Sequence, residues 1–225
     1  MAALDGWLVA SCAELLDGRG AIVDVGYGQT PVTTLELARA VRAVNSSLRV
    51  VGIEAVPASA QQAEVELITG DFSTCARLGP TAVVRAMNVL RGYREDEVPA
   101  IHEALGAALV EGGLVLEGST DTEGHVMVAH LLRRRGIRLV REALLFHTDF
   151  TRGFSPWLFR DWLPRDLRRS ARPGTPIHAL LTRWDEYARS GPGDPRERFI
   201  ASVRIGVEAT PWELEHGFAR SVCPV

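Results

Sequence analysis

The sequence predicts an α/β protein with a mostly parallel, doubly wound sheet. The first two-thirds of its 225 residues alternates short apolar runs with segments of helical period, a pattern typical of parallel strands joined by helices. A Gly-Tyr-Gly turn at 26–28 stands between the first apolar run and the following helical segment. Helices are therefore expected on both faces of the sheet.

Glycine and proline set the predicted boundaries of the first elements. Residues 2–16 are expected to form a helix that stops near Gly18 and Gly20, and residues 21–25 form a short, nearly all-apolar strand. Thr30 is expected to cap the next helix, with Pro31 in its first turn, where the missing N–H costs nothing. Further strands are predicted at 48–54, 65–69, 81–86 and 114–117, and helices at 57–62 and 96–109.

The pattern changes after the fifth strand. Residues 125–132 and 137–148 flank an Arg-Gly turn at 135–136. In the first segment Val126, Val128 and His130 alternate with Met127, Ala129 and Leu131, which favours an antiparallel hairpin that closes the sheet, with a helix as the alternative. Residues 155–225 are expected to be helical between prolines. We therefore divide the chain into a domain at 1–150 and a helical extension at 151–225, which would serve as a lid, a packing surface or a dimer surface.

Composition narrows the function classes. All 25 basic residues are arginine, which excludes a Schiff-base lysine and a P-loop lysine. No apolar run reaches about 18 residues and the N-terminus lacks a basic region, so we expect neither a membrane span nor a signal peptide. Three widely spaced cysteines predict no disulfide framework, and the cytoplasm is the expected compartment.

Residues 133–172 are strongly basic. They hold eleven arginines against four acids, whereas the whole chain has a net charge of -3. Aromatic residues lie among these arginines, so the stretch fits either a nucleic-acid surface or an amphipathic helix with a solvated arginine face and a buried aromatic face. The sequence pI of about 6.1 favours the second interpretation.

The segment from Asp24 to Gly28 carries the clearest chemical signal. Glycines after a strand permit positive φ and leave the backbone open to a ligand, and the following helix N-terminus offers free N–H groups. Glu54 ends the second strand, 26 residues beyond Gly28, where a carboxylate commonly holds ribose hydroxyls. Asp71 and Phe72 follow the third strand and offer an acid and an aromatic edge.

These features resemble the class I S-adenosylmethionine (SAM)-dependent methyltransferases, a family with a Rossmann-like, seven-stranded sheet and an antiparallel C-terminal hairpin. VDVGYGQTPVTTLELA resembles the first family motif, and GDF at 70–72, VRAMNVL at 84–90 and EALGAALVEGGLVLEG at 103–118 resemble later ones. The resemblance covers about residues 20–148. Thr81-Ala82 stands where the family often has an acid, and Thr30-Pro31 replaces the third glycine of nicotinamide-binding proteins.

The resemblance implies SAM as cofactor and a role for each motif residue. Gly26, Tyr27 and Gly28 would line the methionine part, and Asp24 would approach its ammonium group directly or through water. Glu54 would accept hydrogen bonds from both ribose hydroxyls. The remaining positions would be Asp71 and Phe72 at the adenine and Asn88 near the cofactor at the end of the fourth strand.

The catalytic residue is not identified by the sequence. Side chains near strand ends that could serve as a base are Asn88, Arg91, Tyr93, Glu117, Asp121, His125, His147 and Asp149. The histidines show no metal-ligand spacing, so no metal is expected. We predict methyl transfer to a small molecule. A non-catalytic SAM-binding module and an RNA methyltransferase that uses residues 133–172 are the alternatives, and a homodimer stays open.

Overall fold

The computed structural model describes residues 1–56, 64–204 and 206–221. These form two compact units. The first unit consists of Met1–Val89, Glu97–Glu117 and Leu132–Val140, and the second of Leu90–Asp96, Gly118–Leu131 and Arg141–Val225. The predicted helix at 57–62 lies outside the described residues. The domain boundary at residue 150 stays a prediction.

The first unit contains the parallel strands. Its helices are α1 (Ala2–Ser11), α2 (Val32–Val44) and α3 (Val98–Gly106), and its strands are β1 (Ala21–Val25), β2 (Val50–Glu54), β3 (Glu66–Thr69), β4 (Thr81–Met87) and most of β5 (Leu109–Thr120). Short 3-10 helices occur at Ala13–Leu16, Phe72–Arg77 and Glu95–Glu97, the last of which ends in this unit. The strands lie in the order β3-β2-β1-β4-β5, with β1 parallel to both β2 and β4, and β2 parallel to β3.

Sequence periodicity located the first four strands to within two residues. The helix predicted at 96–109 spans only Val98–Gly106, and three further boundaries differ. The first predicted helix ends at Ser11 and continues only as a 3-10 turn. Thr30 does not cap α2, because Pro31 occupies the N-cap position and makes no side-chain cap. β5 begins at Leu109 rather than after the glycine pair at 112–113. Gly113 therefore lies inside the strand, where a Cβ would come within 3.1 Å of the Ala82 carbonyl oxygen.

The second unit is antiparallel and helical. Its strands are the end of β5, most of β6 (Val126–Arg135) and β7 (Arg138–Thr148), and β8 (Val207–Glu208) and β9 (Phe218–Ser221), in the order β5-β6-β7-β9-β8. Its helices are α4 (Arg165–Arg168), α5 (Pro176–Ser190), α6 (Pro195–Ser202) and α7 (Pro211–Glu215), with 3-10 turns at Leu90–Gly92 and Pro156–Trp162. The two-residue link between β6 and β7 is that of an antiparallel hairpin.

The α/β class and the hairpin are therefore confirmed, whereas the strand count and the purely helical extension are wrong. The described residues contain nine strands rather than seven, because β8 and β9 lie in the extension. β9 pairs antiparallel with β7, with His147 opposite Phe218. A four-residue strand that depends on a partner about 70 residues away in sequence gives almost no local signal.

The core of the second unit is aromatic. Trp184 is fully buried on α5, where it stacks on Phe159 with ring centroids 5.4 Å apart and meets Phe146 edge-on. Its indole N–H donates to the Ser202 hydroxyl at 2.9 Å. Residues 133–172 are thus not one amphipathic helix. Three of their six aromatic residues are buried and three are half-buried, whereas seven of their eleven arginines are exposed, which agrees with that interpretation in burial but not in secondary structure.

Candidate functional site

The carboxyl ends of three parallel strands meet at one edge of the first unit. The Gly26 N–H donates to the Ile53 carbonyl at 2.8 Å, so the glycine turn after β1 lies against the end of β2. The Gly70 N–H donates to the Glu54 carbonyl at 3.0 Å, which joins the end of β3 to the end of β2. Open parallel sheets bind ligands at this end of their strands.

The glycine turn has two distinct parts. Gly26 has a φ of +74°, and a Cβ there would lie 2.6 Å from Cγ2 of Val89, so the segment after β4 closes over this residue. Gly28 has a φ of +80°, and a Cβ there would meet nothing within 4 Å. The turn therefore packs against the protein at its first glycine and leaves open space at its second.

Glu54 points its carboxylate at this turn. One oxygen, Oε2, accepts the N–H of Gly28 at 2.7 Å, and Oε1 accepts the N–H of Ala55 at 2.8 Å. A carboxylate oxygen has two lone-pair positions, so both oxygens can accept one more hydrogen bond. The structure thus joins the predicted glycine turn and the predicted acid through a direct contact.

The other predicted positions occupy the same strand ends. Asp71 caps the 3-10 helix Phe72–Arg77 by accepting the Ser73 N–H at 2.8 Å and its hydroxyl at 2.6 Å. These bonds hold the pKa of Asp71 below its usual value. Phe72 is half-buried, and Asn88 is exposed just after β4 with a φ of +62°.

The side chain of Tyr27 faces away from the open part of the turn. The residue is 7% exposed, and its Cδ1 would lie 3.0 Å from a Cβ placed on Gly52 of β2. The ring therefore packs over the sheet. Any ligand contact that Tyr27 makes at the turn is expected to come from its main chain.

Asp24 is buried in an ion pair that the sequence analysis missed. Arg85 donates from Nε to Oδ1 and from Nη2 to Oδ2 of Asp24, both at 2.8 Å, and also to the Thr33 carbonyl at 2.8 Å. Thr34 of α2 donates its hydroxyl to Oδ2 at 2.7 Å. Asp24 therefore links β1, β4 and the first turn of α2, while its predicted contact with a methionine ammonium stays a prediction.

Asp5 completes this network from α1. Its Oδ1 forms a short ion pair with Nη1 of Arg85, whereas its buried Oδ2 has no hydrogen-bond partner among the described residues. Burial raises the pKa of Asp5 to about 6 despite the opposing charge of Arg85. The Arg85 pKa is pulled down by burial, but the charges of Asp24 and Asp5 outweigh this and raise it. In the sequence, the only sign of this buried cluster is that Arg85 lies within a largely apolar strand.

The side chains considered as bases fall into both units. In the first, Glu117 is buried with its Oε2 3.1 Å from Nε2 of His102. Burial lowers the pKa of His147, in the second unit, to about 4, so this imidazole is neutral. Arg91 lies over the Trp162 ring, 4.9 Å from its centroid. The remaining second-unit candidates are Tyr93, Asp121, His125 and Asp149, of which His125 and Asp149 form a direct pair at 2.6 Å.

The described part of the chain contains neither a candidate metal site nor a candidate membrane span. No group of three or more histidine, cysteine or carboxylate side chains could hold a metal ion. Within the same ranges, every helix is too short or too polar to cross a bilayer. Burial raises the pKa of the Cys75 thiol to about 11, so Cys75 lacks the thiolate character of a nucleophile.

Neither a family model nor a curated protein matches the sequence. Several solved structures have a partial likeness to it. LepI in complex with SAM has a TM-score of 0.39 and 17% identity over 52% of this chain and 30% of LepI. ChlM, the magnesium protoporphyrin IX methyltransferase of Synechocystis PCC 6803 with bound SAM, has a TM-score of 0.38 and 16% identity over 62% of this chain and 74% of ChlM.

A SAM-dependent methyltransferase from Clostridium acetobutylicum ATCC 824 has a TM-score of 0.39 and 10% identity, over 64% of this chain and 65% of that protein. This chain thus matches less than a third of the length of LepI and about two-thirds of the clostridial protein. Likenesses this weak leave the function to be argued from the residues of this chain.

Proposed function

We propose that this chain binds SAM over the glycine turn at 26–28 and transfers its methyl group to a small molecule. One observation carries the proposal: the Glu54 carboxylate reaches the Gly28 N–H at 2.7 Å, at the point where three parallel strands end. This arrangement joins an acceptor for ribose hydroxyls to a backbone turn with open space above it.

The residues present fit an adenosyl ligand with an amino-acid tail. Glu54 retains lone pairs for two hydroxyls, and α2 begins at Val32 without a side-chain cap, so its first N–H groups suit a carboxylate. Asp71 and Phe72 supply a carboxylate and an aromatic ring for the adenine. The Thr30-Pro31 step, which stands in place of a third glycine, fits a dinucleotide pyrophosphate less well.

When bound, SAM supplies an electrophilic methyl group on a sulfonium, and the carbon–sulfur electron pair leaves with the sulfur as S-adenosylhomocysteine. The chain supplies binding, orientation and exclusion of water. Glu54 would orient the ribose. Asp24 would act as a positioning residue, because Arg85 and Thr34 already engage its carboxylate and fix β1 to α2 below the turn.

The sequence pI of about 6.1 favours a small-molecule acceptor over RNA, and the pairing of some of the arginines adds to this. Three arginines of residues 133–172 are paired with carboxylates in their own unit: Arg133 with Glu14, Arg141 with Asp166 and Arg152 with Asp121. Paired arginines contribute less to phosphate binding. An RNA interface would show binding that falls steeply with salt, whereas we expect a slope near zero for log K against log salt.

The non-catalytic alternative is separated from the enzyme by turnover. A binding module would take up SAM yet form no S-adenosylhomocysteine with any acceptor. The same cofactor contacts support both functions, so turnover alone decides between them.

Calorimetry with S-adenosylhomocysteine tests the cofactor site. Glu54→Gln removes the charge from the ribose acceptor and is expected to weaken binding about 10- to 100-fold, because hydrogen bonds to a charged group are worth about 1.5–3 kcal/mol. The matched control is Glu66→Gln on β3, an exposed carboxylate paired with Arg49, which should leave Kd within twofold. Equal affinity in wild type and Glu54→Gln would contradict the assigned site.

A further inference from the structure

One buried carboxylate belongs to the charge network that supports the glycine turn. Arg85 stands opposite Asp24 where β4 pairs with β1, and Asp24 lies two residues before Gly26. The same guanidinium donates to the Thr33 carbonyl, in the first turn of the helix that follows the glycine turn. Asp5 reaches this guanidinium from α1, so its carboxylate is connected through one cation to the segments on both sides of the turn. All of these residues lie in the first unit.

The network carries a net negative charge when both of its acids are ionised. Arg85 supplies one positive charge, whereas Asp5 and Asp24 supply two negative charges. Each of the three side chains is at most 5% exposed, so water and salt screen these charges weakly. Among the described residues, Oδ2 of Asp5 has no hydrogen-bond partner that would offset its charge. A ligand at the turn therefore lies above a buried network whose charge is not fully balanced.

Asp5 is the member of the network whose charge changes near neutral pH. Burial raises its pKa to about 6, although the nearby charge of Arg85 lowers it. The other charged groups that act on this carboxyl are Asp24 and the α-amino group of Met1. Thr34 of α2 faces the network with an uncharged hydroxyl. The network is thus close to neutral below pH 6 and negatively charged above it.

The ionised form of Asp5 works against folding. Because the folded protein binds this proton more tightly than the unfolded chain does, ionisation above pH 6 lowers the free energy of unfolding. An asparagine at this position would keep a polar side chain of the same size without that cost. Buried groups with strongly shifted pKa values are typical of functional sites, where stability is often lower than it could be. The position of Asp5 beside the turn points to a role in ligand binding.

We propose that Asp5 is a specificity-determining residue of the cofactor site: in its ionised form it favours SAM over S-adenosylhomocysteine, and its protonation removes this preference. The inference rests on the proposed function. SAM carries a positive sulfonium that the product lacks, so a negative charge below the turn attracts the cofactor more strongly than the product. Asp5 acts through the electrostatic field of the network and does not touch the ligand. Its ionisation therefore reduces inhibition by the product.

The coupling between the proton and the ligand is reciprocal. Bound SAM stabilises the ionised form of Asp5, whose proton passes to the solvent, whereas the uncharged product releases less of it. A preference of about 3- to 10-fold corresponds to the release of roughly 0.25 to 0.4 proton per bound SAM at a pH near 6. Proton release is thus a second measure of the same interaction, and it does not depend on turnover.

Calorimetry with SAM and with S-adenosylhomocysteine at pH 5 and pH 7 tests the inference. In wild type, the ratio of the product Kd to the SAM Kd is expected to rise about 3- to 10-fold between these pH values. In Asp5→Asn the rise should be at most twofold, because the charge is gone at both pH values. This variant is expected to fold, since it removes a charge that opposes folding. Titrations at pH 6 in two buffers of different ionisation enthalpy measure the proton release, which should be lost in the variant.

The matched control is Asp17→Asn. Asp17 is an acid of the same unit, but it is exposed and paired with Arg19, so water screens its charge and this variant should follow wild type. A wild-type ratio that is equal at both pH values, or an equal rise in Asp5→Asn, would overturn the inference. Failure of wild type to bind either compound would instead overturn the proposed function.

Discussion

Each unit buries an ionisable side chain near a strand end, and these two side chains are held in opposite ways. In the first, Arg85 is charged and held between Asp5 and Asp24, beneath the glycine turn. In the second, His147 is neutral and stacked on Phe218 with centroids 4.3 Å apart. The comparison shows that a buried ionisable group can be held as an ion in a charge network, as Arg85 is, or as a neutral ring in aromatic packing, as His147 is.

The contrast predicts opposite responses to pH. Asp5 has a raised pKa, so its contribution to stability is full below the unfolded value of 3.8 and is lost as pH rises through about 6. His147 has a lowered pKa, so its contribution is full above 6.5 and is lost as pH falls towards about 4. As the pH of the wild type rises from 4 to 6.5, the stability lost through Asp5 and the stability gained through His147 partly cancel.

The largest expected effect comes from breaking the charge network. Arg85→Leu leaves two buried carboxylates without their cation and is expected to lower the free energy of unfolding by about 3–5 kcal/mol. Urea unfolding at pH 7 measures the loss. Arg49→Leu, which removes an exposed ion pair with Glu66, is the control and should cost at most about 1 kcal/mol. A loss at Arg85 no larger than at Arg49 would contradict the network.

In the Asp5→Asn variant, His147 should determine how the free energy of unfolding changes with pH. Because ionised Asp5 opposes folding above pH 6, the variant should gain stability relative to wild type as pH rises from 4 to 7, by up to about 3 kcal/mol. The measurement is urea unfolding at half-unit pH steps. A constant difference between the two proteins across this range would show that folding does not shift the pKa of Asp5.

His147→Phe should change the pH dependence of the free energy of unfolding in the opposite sense. The substitution keeps a ring to stack on Phe218 but removes the titrating group, so stability relative to wild type should rise as pH falls from 6.5 to 4, by up to about 3 kcal/mol. The midpoint of the thermal transition across this range reports the effect. Parallel curves for the variant and wild type would show that folding does not lower the pKa of His147.

The same contrast explains what could be predicted from sequence. The strand ends at Gly28, Glu54 and Asp71 were predictable because apolar runs, glycines and acids mark them locally. Arg85 and Asp5 are 80 residues apart, and only their shared burial shows that they belong together. The pairing of β9 with β7 is likewise non-local, and a four-residue strand after a short helix has no distinctive period.

The most direct test of the account is a crystal structure of the full chain with S-adenosylhomocysteine. We predict its ribose hydroxyls within hydrogen-bonding distance of the Glu54 carboxylate and its homocysteine tail along the backbone at 26–28. Electron density for the compound at any other place, or none at saturating concentration, would contradict the assignment of this strand edge as a cofactor site.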